Sequence, residues 1–130
     1  MTKLYNLNHE FIGECDGIVP KNFTGIHILL NGSKFWRLNG ERHRLDGPAV
    51  EYTDGSKEWW VDGKRHRIDG PASEYSNGSK QWWVDGKQHR IDGPAVEHND
   101  GLKLWYVDGK RVTELQCNLL CDMMKLKGLL

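Results

Sequence analysis

The 130-residue chain has no excess charge of either sign: lysine plus arginine total 18, and aspartate plus glutamate total 18. It therefore lacks the long-range positive field by which nucleic-acid and anionic-membrane binders draw in their targets, and neither partner is expected. Cysteine is scarce and odd in number, with only Cys15, Cys117 and Cys121. Such a set fits a reducing compartment better than a disulfide framework. No apolar run approaches the roughly 20 residues of a membrane span, and residues 1–10 hold no apolar stretch of the kind found in a signal peptide. The expected location is the cytoplasm. A G-x-x-x-x-G-K phosphate loop is missing, and no glycine precedes a helix in the way such a loop requires.

What the chain does have is a period. One unit recurs every 23 residues: GSKFWRLNGERHRLDGPAVEYTD from Gly32, GSKEWWVDGKRHRIDGPASEYSN from Gly55, GSKQWWVDGKQHRIDGPAVEHND from Gly78, and a shortened GLKLWYVDGKR from Gly101. Trp36, Trp59, Trp82 and Trp105 mark it without an insertion. Stacked units demand a register this strict, because each packs on the same positions of its neighbour. Residues 1–25 match no copy and read as an N-terminal cap, residues 26–112 form the array, and residues 113–130 change composition. In that last segment Leu115, Leu119, Met123 and Leu126 recur at steps of three and four, which predicts one face of an amphipathic helix. Thr113 is its expected N-cap, and Gly128 stands where it would stop.

Within each copy the turn signals fall where antiparallel strands need them. Asn31-Gly32, Asp54-Gly55, Asn77-Gly78 and Asp100-Gly101 accept positive φ at both central positions, so each is expected to close a two-residue type I′ hairpin. That choice predicts a register in which Tyr75 faces Lys80, Ser73 faces Trp82, Val50 faces Trp59 and Val96 faces Trp105. A second set of steps, Asn39-Gly40, Asp62-Gly63, Asp85-Gly86 and Asp108-Gly109, turns the chain again. The Asp-Gly-Pro steps at 46–48, 69–71 and 92–94 let proline start the return strand, where a missing amide donor does least harm. Alternation then gives two aromatic stripes: Trp36, Trp59, Trp82 and Trp105 with Val61, Val84 and Val107 on one face, and Trp60, Trp83 and Tyr106 on the other.

The spacing Trp60-x-x-Gly63-x-x-His66, repeated at Trp83, Gly86 and His89, resembles the MORN (membrane occupation and recognition nexus) repeat, which shares the 23-residue period. The chain departs from that family's pattern after the histidine. Arg44, Arg67 and Arg90 replace the usual glycine, and an added Asp-Gly-Pro-Ala follows. This HR-x-DGPA variant is similar to repeats of bacteriophage, bacterial and giant-virus proteins. The resemblance implies an elongated, twisted, meandering antiparallel sheet of hairpins used in binding and assembly. It also implies lipid association for some members and no shared catalytic residue.

The most chemical-looking constellation is His-Arg-x-Asp, present as His43, Arg44 and Asp46, as His66, Arg67 and Asp69, and as His89, Arg90 and Asp92. One reading is a ladder that grips the phosphate of a small ligand, since arginine offers a planar fork and histidine a second donor. The other pairs each arginine with an aspartate and each histidine with a loop carbonyl or a tryptophan, so that the ladder holds the loop in shape. We take the second as the expectation, because a group present in every copy is more simply explained by the folding of the copy. The fourth copy agrees, for it reads Arg111-Val112-Thr113 where no further hairpin follows.

The Trp36 stripe is expected to be core. The other stripe, Trp60, Trp83 and Tyr106 with Arg37 in the first copy, is either an exposed contact surface or the seat of the C-terminal helix. No serine or cysteine candidate nucleophile lies beside the histidines, and the Asx-Gly aspartates already form turns, so no enzyme is expected. Cys117 and Cys121 at i and i+4, even joined by Cys15, lack the second paired set of ligands that tetrahedral zinc requires, so neither metal nor cofactor is expected. The sequence therefore predicts an all-β repeat protein with a C-terminal capping helix that binds without catalysis. Its expected partner is a protein, a host factor or its own copy, held through Arg37, Trp60, Trp83, Tyr106, Leu119 and Met123. Capture of a phosphorylated molecule by His43, Arg44, His66, Arg67, His89 and Arg90 is the alternative, and lipid-headgroup association is the third reading.

Overall fold

The computed structural model describes all residues, 1–130. The chain forms two compact units, Met1–Arg65 and His66–Leu130, each built of antiparallel β-hairpins. The second ends in a helix, and no helix is long and apolar enough to cross a membrane.

In the first unit the strands are β1 (Thr2–Tyr5), β2 (Phe11–Cys15), β3 (Gly25–Ile28), β4 (Lys34–Leu38), β5 (Glu41–Arg42), β6 (Val50–Glu51), β7 (Lys57–Glu58), β8 (Trp60–Val61) and β9 (Lys64–Arg65). Its sheet runs β2-β1-β3-β4-β6-β7, with β5 beside β4 and with β8-β9 as a separate ribbon. The second unit holds β10 (Ser73–Glu74), β11 (Lys80–Gln81), β12 (Trp83–Val84), β13 (Lys87–Gln88), β14 (Val96–Glu97), β15 (Lys103–Val107), β16 (Lys110–Val112) and α1 (Glu114–Leu126). There the order is β10-β11-β14-β15-β16, with β12-β13 as the ribbon.

The two sets of Asx-Gly steps fold differently, and this corrects the expected register. Asn39, Asp62, Asp85 and Asp108 have φ of 50° and are each followed by a positive-φ glycine, so the two-residue type I′ turns lie here. In the other set only Gly32, Gly55, Gly78 and Gly101 have positive φ. Tyr75 N donates to Ser79 O and Gly78 N to Tyr75 O, which closes a three-residue loop around a type I turn with the glycine in the bulge. Ser73 therefore pairs with Gln81 and not Trp82, Val50 with Glu58 and not Trp59, and Val96 with Leu104 and not Trp105. The cause is the Asx side chain. Oδ1 of Asn31, Asp54, Asn77 and Asp100 accepts the amide two residues on, at 2.8–3.0 Å, which stabilises the acid or amide in a right-handed conformation.

The straight alternation expected along each tryptophan strand holds through β4 and β15, five residues each. In the second and third copies the strand is interrupted at Trp59 and Trp82, where the chain leaves the sheet to enter the ribbon. The junction in the third copy is bonded on both sides: Trp82 N donates to Ala95 O, and Trp82 O accepts from His89 N. Trp36 makes the same pair of bonds with Ala49 and His43.

Burial also departs from the expectation that the first tryptophan stripe is the core. Trp36 is buried, in a cluster with Ile26 and Ala49, whereas Trp59, Trp82 and Trp105 are half-buried. The two residues after each Asp-Gly-Pro, Ala49-Val50, Ala72-Ser73 and Ala95-Val96, are all buried. A methyl side chain at the first of these lets neighbouring segments approach closely.

Helix α1 begins and ends as its sequence signals. Thr113 Oγ1 accepts from Gln116 N at 3.1 Å while Thr113 N donates to Gln116 Oε1 at 2.8 Å, a complete capping box. At the other end Gly128 has φ of 69°, Gly128 N donates to Lys125 O and Leu129 N to Met124 O, the Schellman arrangement. Cys117 and Cys121 are its buried residues. Leu115, Leu119, Met123 and Leu126 lie opposite them and face solvent, so the periodic stripe is not the face that packs inward.

Candidate functional site

The three His-Arg-x-Asp segments are the loops that link each ribbon to its return strand, and their partly buried histidine and arginine side chains bond within the protein. Arg44 Nε donates to Asp46 Oδ1 at 2.9 Å, Arg44 Nη1 donates to Pro48 O at 3.1 Å, and the guanidinium lies 4.0 Å from the Trp36 ring. Arg90 repeats the set with Asp92 at 3.0 Å, Pro94 O at 3.1 Å and Trp82 at 3.9 Å. Arg67 binds Asp69 and Pro71 O in the same way. The Arg44 and Arg67 hydrogen bonds, reinforced by charge, hold the Asp46 and Asp69 carboxyls below the usual range.

The histidines join consecutive copies. His43 Nδ1 accepts from Asp62 N, His66 Nδ1 from Asp85 N and His89 Nδ1 from Asp108 N, at 2.9–3.0 Å. Arg44 N, Arg67 N and Arg90 N likewise donate to the carbonyls of Trp60, Trp83 and Tyr106. Each imidazole thus caps the amide of the next type I′ turn. The sequence predicts a loop carbonyl or a tryptophan as the partner of each histidine, whereas Nδ1 accepts from a turn amide here.

Two cavities recur at equivalent places. In the first unit a space of about 350 Å³ is lined by Trp36, Leu38, His43, Arg44 and Leu45, with Leu7 and His9 on its rim. In the second, a space of about 650 Å³ is lined by Trp82, Val84, His89, Arg90 and Ile91, with Met124 and Leu130 bordering it. Cys117 Sγ donates to Ile91 O at 3.1 Å, which seats the helix on this loop, and burial pushes the thiol pKa up. Because Val84 and Trp82 line the side that Met124 borders, alternation turns Trp83 away from it.

The aromatic strip has polar company. Trp83 Nε1 donates to Gln81 Oε1 at 3.0 Å, and Trp60 Nε1 lies 3.4 Å from Glu58 Oε1. Trp60 is flanked by the guanidiniums of Arg42 and Arg65 at 5.0 and 5.3 Å, and Tyr106 is half-buried in β15. Arg37 Nε donates to His27 Nε2 at 3.1 Å and Arg37 Nη1 to Gly40 O at 2.8 Å. Prominent apolar side chains lie elsewhere: Ile18 and Leu30 in the first unit, Leu45 and Ile68 at the loop tips, and the helix stripe of Leu115 (67%), Leu119 (55%), Met123 (49%) and Leu126 (88%).

Sequence reasoning missed His27 and Arg42. Column-by-column comparison of the copies carries the signal for Arg42, since Arg37 opposes it where Trp60 opposes Arg65. His27 precedes the first copy and has no counterpart. Comparison with models of known protein families, with curated proteins and with solved structures found no match.

Proposed function

We propose that the chain is a non-catalytic binding protein whose partner is another protein, anchored on the outer stripe of α1. The observation that carries this reading is the helix's two-sided apolarity. Its inner face seats Cys117 and Cys121, and its outer face presents Leu115, Leu119, Met123 and Leu126 to solvent. A row of four large apolar side chains on one helix face is the recognition element of helix-in-groove contacts, and such rows are rarely left bare on a monomer. The partner this stripe fits presents an apolar groove. The likeness of the copies to phage-type repeats makes a host protein the class we expect.

The phosphate-ladder reading draws less support. Arg44, Arg67 and Arg90 each already have a carboxylate counter-ion, Asp46, Asp69 and Asp92, and each bonds a proline carbonyl as well. The test is quantitative affinity capture from the native cell, comparing the wild-type chain with a Leu119→Asp, Met123→Asp variant. Both side chains are exposed, so the variant is expected to keep its melting temperature and lose the captured protein, with light scattering reporting whether that protein is a second copy. Equal capture by the variant would refute the assignment to this stripe.

A further inference from the structure

The first copy breaks the charge pattern of the others at one place. On the β4-β5 hairpin Arg37 stands directly opposite Arg42, whereas in the second copy Trp60 stands opposite Arg65. Phe35 occupies the position that Glu58 and Gln81 hold in the next two copies. These three columns read Phe35, Arg37, Arg42 in the first copy, Glu58, Trp60, Arg65 in the second and Gln81, Trp83, Gln88 in the third. Counting the charges gives two positive, then one of each sign, then none. Like charges directly opposite each other on an antiparallel pair destabilise it.

No carboxylate of the protein neutralises the pair. Arg37 bonds only a neutral imidazole and a carbonyl, and Arg42 lies over the rings of Phe35 and Trp60 at 5.5 and 5.0 Å, so neither has a carboxylate partner. Glu58 is engaged by Arg65 Nη2 at 3.5 Å and lies 3.4 Å from both Tyr52 OH and Trp60 Nε1. Both arginines are partly exposed, on a face walled by aromatic rings that keep the guanidiniums from being fully hydrated. Burial, and secondly the charge of Arg42, lower the Arg37 pKa. Two adjacent guanidinium forks with unspent donors on an aromatic floor match a compact group carrying two negative charges.

We propose that Arg37 and Arg42 are the receptor for a dianionic phosphoryl group, a site that does not use the guanidiniums of the His-Arg-x-Asp loops and is independent of the helix stripe. The probe is inorganic phosphate, titrated into the full chain at constant ionic strength against chloride and acetate. Amide and guanidinium resonances are followed by NMR, and the melting temperature is read in parallel. Phosphate is expected to shift the Arg37, Arg42 and Trp60 side-chain resonances saturably and to raise the melting temperature, with acetate weaker. Arg42→Gln installs the residue of the third copy at the same column, and Arg37→Gln removes the charge while keeping a donor for His27 Nε2. Each is expected to weaken binding about tenfold or more, the loss of one charge-assisted contact. Arg42→Lys, which keeps the charge and loses the fork, is expected to fall between. No saturable shift, a shift map centred on Arg44, Arg67 or Arg90, or undiminished binding in the folded variants would overturn the proposal. The wild-type map decides the location even should a variant fail to fold.

Discussion

Acidification should destabilise this protein through a single buried imidazole. His27 is almost fully buried in β3, stacked on Phe35 at 4.8 Å, with Phe23 in a T-shaped contact at 6.4 Å and Arg37 donating to Nε2. That hydrogen bond places the ring proton on Nδ1, which has no partner. Burial first, then the charges of Arg37 and Arg42, lower its pKa from 6.5 to about 4. The folded state therefore resists protonation that the unfolded chain accepts. Stability is complete above pH 6.5, falls as the pH drops below that value, and the loss is full below about 4. At ~1.4 kcal/mol per pH decade, the interval amounts to about 3 kcal/mol, or roughly 10 °C in melting temperature for a chain of this size. The assay is urea denaturation of the wild-type chain and of His27→Gln, from pH 7.5 to 4.0 in phosphate-free buffer at constant ionic strength. Glutamine can accept from Arg37 and does not titrate. Asp46 and Asp69, whose lowered pKa values also remove stability in acid, contribute equally to both proteins and cancel. The stability gap between the two proteins should change by about 3 kcal/mol across that range in favour of the variant. A gap that is the same at both ends would refute the reasoning, as would a wild-type His27 ring resonance that titrates near 6.5.

Three further outcomes follow from single positions. Ser73 is fully buried with its hydroxyl unpartnered, where Val50 and Val96 stand in the flanking copies, so Ser73→Val should raise stability by about 2 kcal/mol in urea denaturation. Arg90→Ala removes the stack on Trp82 and the bonds to Pro94 O and Asp92, and should cost about 2 kcal/mol, whereas exposed Arg111→Ala should stay within ~0.5 kcal/mol. Gly40→Ala, at φ of 83° with its new methyl driven into the Lys21 carbonyl, should cost about 3 kcal/mol. By contrast Gly101→Ala, at φ of 93° in open space, should cost about 1 kcal/mol by the same measurement.

Much of the local structure was legible in the residues. Asp-Gly and Asn-Gly steps announce turns because glycine tolerates positive φ and the short polar side chain bonds nearby amides. Thr113 and Gln116 announce a helix start because their hydrogen bonds are local. The type of each turn was less legible. The same dipeptides form type I′ turns at Asp62-Gly63 and bulged type I turns at Asp54-Gly55, and the choice of the second moved each pairing by one residue. A slip of that size exchanges the faces of a strand, which is why the expected partners of Val50, Ser73 and Val96 were wrong.

The candidate site divides in the same way. That arginine would pair with aspartate inside each loop could be read from their separation of two. The partner of each histidine could not, because it is the amide of a turn 19 residues on. Likewise the helix stripe at Leu115, Leu119 and Met123 is plain in the sequence, but periodicity does not say which apolar face meets the sheet when cysteines occupy the other.

By itself the sequence determined the period, the places where the chain turns, and the hairpins and helix between them, since each depends on bonds among residues close along the chain. Only the tertiary structure decided which turn geometry each dipeptide took, which helix face was buried, and that Arg37 and Arg42 stand together without a counter-ion. Those outcomes rest on contacts between distant segments, where packing selects among conformations that are locally close in energy.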